Sequence, residues 1–388
     1  MALQGSTPFA SYDITDGSQI RDISALLQEA LLFDFHFLEN IQNNILWDDP
    51  AEDPQIWWNE DALNPDTVTT AASATSTATS LTLTTGHGVR CHVGDLLIDE
   101  TSGSTEAMQI TAISTDTATI VRTINSTVAA SIASGATLSL QRVEQESSDI
   151  SADRTVAPTV RSNYCQIIAG AFEVQISGRQ LARKMATDAL KDQVSHQLAN
   201  RSKEFKRALT KSLLYSERVG AGSDTVYASM GGLRYWIRDS GGVVNSTSGA
   251  LTMLGSASST IDSMNKTIVN LGAYPDTFVC GTDLVNSVNS TDSSNRRMLE
   301  SEVQAGYMVQ GVRLAQGNVV DIIVDPRVKA GDAFLLCKDR IFPKPFIGRG
   351  MFTIAATDFT DATKRRLLGD WSVEVRNPSV HGYLYSKT

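Results

Sequence analysis

The spacing of apolar side chains changes period several times along this chain. From Arg179 to Val219 neither Gly nor Pro interrupts, and apolar positions recur at Leu181, Met185, Ala189, Leu190, Val194, Leu198, Phe205, Leu209 and Leu213. That rhythm predicts a single long helix over 177–217, opened by Ser177 with Gln180 three residues on as a capping box. Continuous to Tyr215, it would be roughly 55 Å long at 1.5 Å per residue. Upstream, short runs near 93–98, 107–113, 118–124 and 136–140 alternate apolar with polar, separated by turn signals at Gly94, Gly103 and Gly135. Four or five strands at this spacing predict a small β-barrel or sandwich.

The segments around that region define the organisation. The stretch 67–89 carries no charge, and 12 of the 19 residues from Thr67 to Thr85 are Ser or Thr, which is the composition of a linker. With the polar stretch 145–152 on the other side, the β-rich region 72–142 is expected to be a domain inserted into a longer host element. The host resumes over 159–176, where Phe172-Glu-Val-Gln-Ile176 alternates strictly. Farther on, a helix over 260–271 should close at Gly272. Strands are expected near 278–280, 307–314, 319–324, 333–336 and 371–375, the second and third joined around Gln316-Gly317-Asn318. Helices and strands are segregated along the chain, which predicts an α+β fold.

The first 66 residues combine an amphipathic segment over 23–37 with an acidic, proline-broken stretch, Trp47-Asp-Asp-Pro-Ala-Glu-Asp-Pro54, and read as an extended arm. Trp57 and Trp58 follow. Adjacent residues of an extended segment face opposite sides, so each indole needs its own apolar cover, which a thin arm is not expected to supply.

Composition narrows the function classes. The chain has 388 residues, 41% hydrophobic and 20% charged, so it can bury a substantial core. Every apolar run is too short to span a membrane. The start, Met1-Ala-Leu-Gln-Gly-Ser-Thr7, has neither the basic opening nor the apolar stretch of a secretion signal, so export by that route is not expected. Net charge is −10, yet it is distributed unevenly: residues 1–66 hold 13 acidic side chains against Arg21 alone. Residues 179–211 hold nine basic groups against three acidic ones. The basic helix is open to two readings, a nucleic-acid-binding module over 179–211 or a surface that meets the acidic arm of another copy, with Arg183, Lys184 and Arg207 as contacts.

Catalytic, cofactor and metal signals are missing. Cys91, Cys165, Cys280 and Cys337 lie far apart and match no CxxC pattern, so they are expected to be reduced and buried. His87, Cys91 and His92 cluster, but Cys91 and His92 are neighbours on an expected strand and diverge, so a packed thiol and surface histidines are expected rather than a zinc site. His196 is expected on a solvated helix face, and Asp48, Asp49, Glu52 and Asp53 lack the spacing of a calcium loop. No GxSxG, phosphate-loop, GxGxxG or HExxH motif occurs. The expectation is no enzyme, no catalytic residue, no cofactor and no metal.

The order of parts resembles the major capsid proteins of tailed bacteriophages, in particular the subgroup with a β-rich insertion in the extended loop. Arg161-Ser-Asn-Tyr-Cys-Gln-Ile167, Met230-Gly-Gly-Leu233 and Trp371-Ser-Val-Glu-Val-Arg-Asn-Pro378 carry the likeness. The resemblance implies an arm over 1–55, an extended loop over 56–71 and 143–160, and the insertion at 72–142. It implies a peripheral domain over 161–219 and 341–388 with spine helix 177–217, and an axial domain over 220–340. It further implies pentamers and hexamers forming an icosahedral virion capsid around double-stranded DNA, assembled in the bacterial cytoplasm. Partners would be copies of itself together with decoration, scaffolding and portal proteins, and no membrane. Trp57, Trp58, Arg183, Lys184 and Arg207 are the expected subunit contacts.

Overall fold

The computed structural model describes residues 36–61, 63–99, 106–124, 127–144, 157–168, 173–177, 193–220, 226–247, 260–282, 284, 296–298, 310–356 and 362–386. Most of the amphipathic segment 23–37, the cap partner Gln180, Arg183 and Lys184 lie outside the described residues.

In chain order these residues form α1 (His36–Asn40), β1 (Gln55–Glu60), β2 (Thr67–Thr69), β3 (Ser80–Thr82), β4 (Leu96–Asp99), β5 (Ala107–Ser114), β6 (Thr117–Val121), β7 (Thr137–Gln141), β8 (Thr159–Tyr164), β9 (Gln166–Ile168) and β10 (Glu173–Ser177). Then come α2 (Gln193–Tyr215), α3 (Leu233–Asp239), β11 (Val243–Thr247), α4 (Thr260–Asn270), β12 (Thr277–Cys280), β13 (Arg296–Met298), β14 (Gln310–Arg313), β15 (Val319–Val324) and β16 (Ala333–Leu336). The chain ends with β17 (Ile341–Pro345), β18 (Phe352–Ala356), β19 (Ala362–Val375) and β20 (Gly382–Ser386). None of the described helices is long and apolar enough to cross a membrane. The chain divides into two compact units, one of residues 1–58 with 161–388 and one of residues 59–160.

The second unit holds a six-stranded sheet in the order β2-β7-β4-β5-β6-β3. Ala71 N–H donates to Thr82 O (2.8 Å) and Thr84 N–H to Thr69 O (2.9 Å), which joins β2 to β3 and closes the sheet into a small barrel. Its core is aliphatic: Val68, Leu81, Leu97, Met108, Ile110 and Leu138 are all almost fully buried, and no Phe, Trp or Tyr occurs between Trp58 and Tyr164. The stretch read as a linker therefore supplies two of the strands. Apart from the buried Thr70, its hydroxyl residues occupy outward or half-exposed positions while Val68, Leu81 and Leu83 point in, so a two-residue period lay beneath a linker-like composition.

Glu106 is buried in this barrel and accepts from Arg122 Nε (2.8 Å), Arg122 Nη2 (2.6 Å) and Ala130 N–H (2.9 Å). Burial pushes its carboxyl up, but the hydrogen bonds from Arg122 and Ala130 outweigh that and hold it below the ordinary value. Cys91 is buried, and His87 Nδ1 accepts from Thr69 N–H (3.0 Å). No group of three His, Cys, Asp or Glu among the described residues could hold a metal ion.

The larger unit is built on two sheets. In the first, the 14-residue β19 is flanked by β10 and β9 on one side and by β18 and β17 on the other, all antiparallel to it. Helix α2 buries Phe205, Leu209 and Leu213. A Cβ at Gly369 of β19 would stand 2.5 Å from the Phe205 ring, so this strand must be bare there for the helix to seat. The second sheet runs β11-β20-β16-β12-β15-β14-β13, with β11–β20 and β12–β15 parallel and the other pairs antiparallel. Helix α4 buries Ile261, Met264 and Ile268, and closes as expected at Gly272, whose φ is +81°.

One continuous core joins the two sheets through Phe205, Trp236, Phe334, Trp371 and Tyr383. Tyr215 and Tyr383 both donate to Asp332 Oδ2, at 3.0 and 2.8 Å, and burial raises both phenols. Strand β20, grouped at the sequence level with 341–388, thus belongs to the sheet formed mainly by 243–336. All four cysteines are free and buried. Burial pushes the thiols up, Cys165 to about 11 and Cys280 and Cys337 to about 12.

His381 is fully buried and its Nδ1 accepts from Cys337 N–H at 3.3 Å. Burial, reinforced by the Arg340 charge, lowers its pKa from 6.5 to about 3. Between those values the unfolded chain binds the proton and the folded chain does not, so stability falls as pH drops. From pH 7 to pH 5 this group should remove about 2 kcal/mol of folding free energy. Urea denaturation across that range should show the loss, and His381→Asn should flatten it.

Candidate assembly surface

The three short motifs that carried the resemblance meet at one buried side chain. Asn163 of β8 is fully buried, and its Nδ2 donates to Gly231 O (3.1 Å) and Val373 O (2.7 Å). Its Oδ1 accepts from Gly231 N–H (2.7 Å) and Tyr164 N–H (2.9 Å). Ser372 Oγ adds a bond to Tyr164 O (2.9 Å), and Trp236 Nε1 donates to Gly231 O (3.0 Å). Gly232 is held against the end of α2, where a Cβ would come within 2.7 Å of Ser212 O. Arg218 clamps the same region, donating to Ser162 O (2.8 Å) and Ser162 Oγ (2.6 Å) with its guanidinium over the Tyr164 ring at 4.9 Å. Every hydrogen-bonding position of the Asn163 amide is used, so β8, the turn before α3 and β19 are locked in one geometry.

This junction decides the fate of the two tryptophans. Trp58 packs edge-on against Trp236 at 5.1 Å and is 7% exposed, so its cover comes from its own chain. Trp57 remains 61% exposed. The alternation along β1 places the two on opposite faces as the sequence requires, but only one face is left open.

The described part of the expected arm also differs from a free extension. Phe37 and Ile41 are in the core, and Phe37 N–H donates to Asp325 Oδ2 (3.1 Å). Leu46 N–H donates to Pro343 O (3.0 Å), Ala51 N–H to Pro345 O (2.8 Å) and Cys165 N–H to Pro54 O (2.7 Å). Lys344 Nζ stands 2.8 Å from Asp49 and 3.7 Å from the buried Glu374. Residues 36–54 are therefore seated on their own chain, because their backbone groups find partners along β17 and their apolar side chains fill the core.

A surface feature missed at the sequence level lies beside this seat. Trp47 packs edge-on against Trp371 at 5.7 Å yet is 60% exposed, and Ile347 and Met351 are exposed on the turn around Gly350, next to the Trp47 ring. Trp371 Nε1 donates to Gly350 O from beneath. The acidic, proline-rich context of Trp47 gave no sign that its ring would sit on a second tryptophan. Of the basic contacts expected, Arg207 is exposed on α2.

The sequence model of a family described as SU10 major capsid protein matches residues 11–388. The chain belongs to that family. It is a structural protein of a virion capsid, not an enzyme, and no catalytic arrangement needs to be sought in the junction. Solved structures share similarity at low identity. The capsid of a native GTA particle is 12% identical over 98% of this capsid protein and 100% of that chain, with a TM-score of 0.49. A structure from Mycobacterium phage Bobi is 11% identical over 64% of this chain and 81% of that one, with a TM-score of 0.41. A virus-like particle from Pyrococcus furiosus is 10% identical over 59% and 78%, with a TM-score of 0.35. No curated protein matches the chain significantly.

Proposed function

We propose that this capsid protein assembles with copies of itself, as pentamers and hexamers, into an icosahedral shell around packaged double-stranded DNA, and that Trp57 is one of its subunit contacts. The observation that carries the reading is the exposed indole of Trp57, held on a strand whose other face is already filled by Trp58 on Trp236. An exposed tryptophan on a strand whose backbone is held by a packed neighbour is suited to anchor an interface, since the ordering cost of that backbone has already been met in the monomer. A shell interface of ~2,000 Å², about 60% apolar, gains roughly 30 kcal/mol gross at about 25 cal/mol per Å² before ordering costs. Assembly in the host cytoplasm, and scaffolding, portal and decoration proteins as partners, belong to the same reading. The barrel of residues 59–160 is proposed to be displayed on the shell, acting through its faces because its sheet is closed.

Trp57→Ala should leave folding stability within about 0.5 kcal/mol of the parent, as expected for a surface substitution. The yield of shells from concentrated protein, counted by negative-stain microscopy, should drop at least roughly tenfold, the equivalent of about 1.4 kcal/mol of lost contact energy. An undiminished yield would remove Trp57 from the interface.

A further inference from the structure

We infer that the outward face of α2 is a phosphate-contacting surface for duplex nucleic acid. Helix α2 turns Phe205, Leu209 and Leu213 to the core, while Lys206, Arg207 and Lys211 are exposed and Lys203 is half-exposed. At about 100° per residue Lys203, Arg207 and Lys211 fall in one row at i, i+4 and i+8, with Lys206 on its flank, spread over about 12 Å of helix axis, a length that spans several phosphates of a duplex. The acid within this stretch, Glu204, is paired with Arg201 one turn earlier. Beyond the helix, Arg365 and Arg366 are exposed on opposite faces of β19, the strand on which the helix packs, with Glu173 opposite Arg366 in register.

The other candidate for this face is the acidic arm of a second copy. Of the 13 acidic residues in 1–66, eight lie from Glu39 onward. The stretch 36–54, which holds five of those eight, is seated on its own chain, with Asp49 bonded to Lys344. That leaves a thinner acidic counterpart for the helix than the sequence suggested, whereas a phosphate backbone supplies closely spaced charge without any particular sequence. The inference deepens the shell reading by naming the part of the subunit that would face the packaged duplex.

The test uses the full-length chain kept unassembled at low concentration and two unrelated 30-bp duplexes, with fluorescence anisotropy followed from about 50 to 200 mM salt. Four phosphate contacts predict a log–log salt slope of about −3.6, a loss of roughly a hundredfold in affinity over that range, and no preference between the duplexes. The triple variant Lys206→Gln, Arg207→Gln, Lys211→Gln keeps good helix formers on an exposed face and should bring the slope to about −1. A slope unchanged in the variant overturns the inference. It is equally overturned if a synthetic peptide of residues 1–35 binds the parent chain, fails to bind the variant, and leaves the duplex affinities of the two alike, since the face is then a contact between copies. Microscopy of both proteins separates the readings: a parent that shows the slope but never forms shells defeats the shell and leaves the phosphate surface standing.

Discussion

Replacing Asn163 with Ala should destabilise the folded subunit by about 4 kcal/mol. The amide makes four hydrogen bonds, to Gly231 N–H, Gly231 O, Val373 O and Tyr164 N–H, at a site without solvent access. Truncation leaves these backbone groups buried, and each unsatisfied one costs about 1–3 kcal/mol, with Gly231 O retaining its bond from Trp236. Chemical denaturation of the unassembled chain measures the loss. Asn163→Asp supplies an independent signature. A carboxylate still accepts from Gly231 and Tyr164 but sets negative charge against the carbonyls of Gly231 and Val373. The variant should therefore be strongly destabilised at pH 7 and partly recover as the pH falls and the carboxyl takes up a proton able to reach one of those carbonyls. A variant as stable as the parent at neutral pH would show that the junction tolerates charge and is not the lock described above.

Trp58→Ala should cost about 3–5 kcal/mol of folding free energy, the range for emptying a buried aromatic site, while the neighbouring Trp57→Ala costs almost none. The cavity would open against Trp236, whose own indole N–H is tied to Gly231 O, so the surroundings have little freedom to collapse. Loss of shells in the Trp58 variant would accordingly follow the loss of folded subunit, and denaturation midpoints should report it in dilute, unassembled protein. Equal stability of the two variants would contradict the asymmetry between these faces.

Much of the fold is legible from residue spacing. The period of Phe205, Leu209 and Leu213 set the buried side of α2, and the described part of the predicted helix ends at Tyr215 within two residues of the expected boundary. Alternation located β4 to β7, the Gln316-Gly317-Asn318 turn appears between β14 and β15 with Gly317 at φ +93°, and Gly272 stops α4. Each of these is a local property, recorded wherever one face of an element must be apolar. The misreading of 67–89 has an equally local cause: threonine serves both linkers and outward strand positions, so the count of hydroxyl residues concealed Val68, Leu81 and Leu83 at inward positions.

The candidate site was legible only in pieces. The motifs around Asn163, Gly231 and Val373 stood out as separate likenesses, 68 and 210 residues from the asparagine, and nothing local says that they share one amide. By itself, the order of residues determined the periods, the turns, the concentration of positive charge on one helix and the opposed directions of Trp57 and Trp58. Tertiary structure decided which tryptophan is covered, that the acidic stretch from Trp47 to Pro54 lies on β17 of the same chain, and that two Ser/Thr-rich strands close a barrel. Alternation depends on neighbours along the backbone, whereas burial depends on what distant segments bring into contact, and Trp236 reaches Trp58 only once the whole junction has formed.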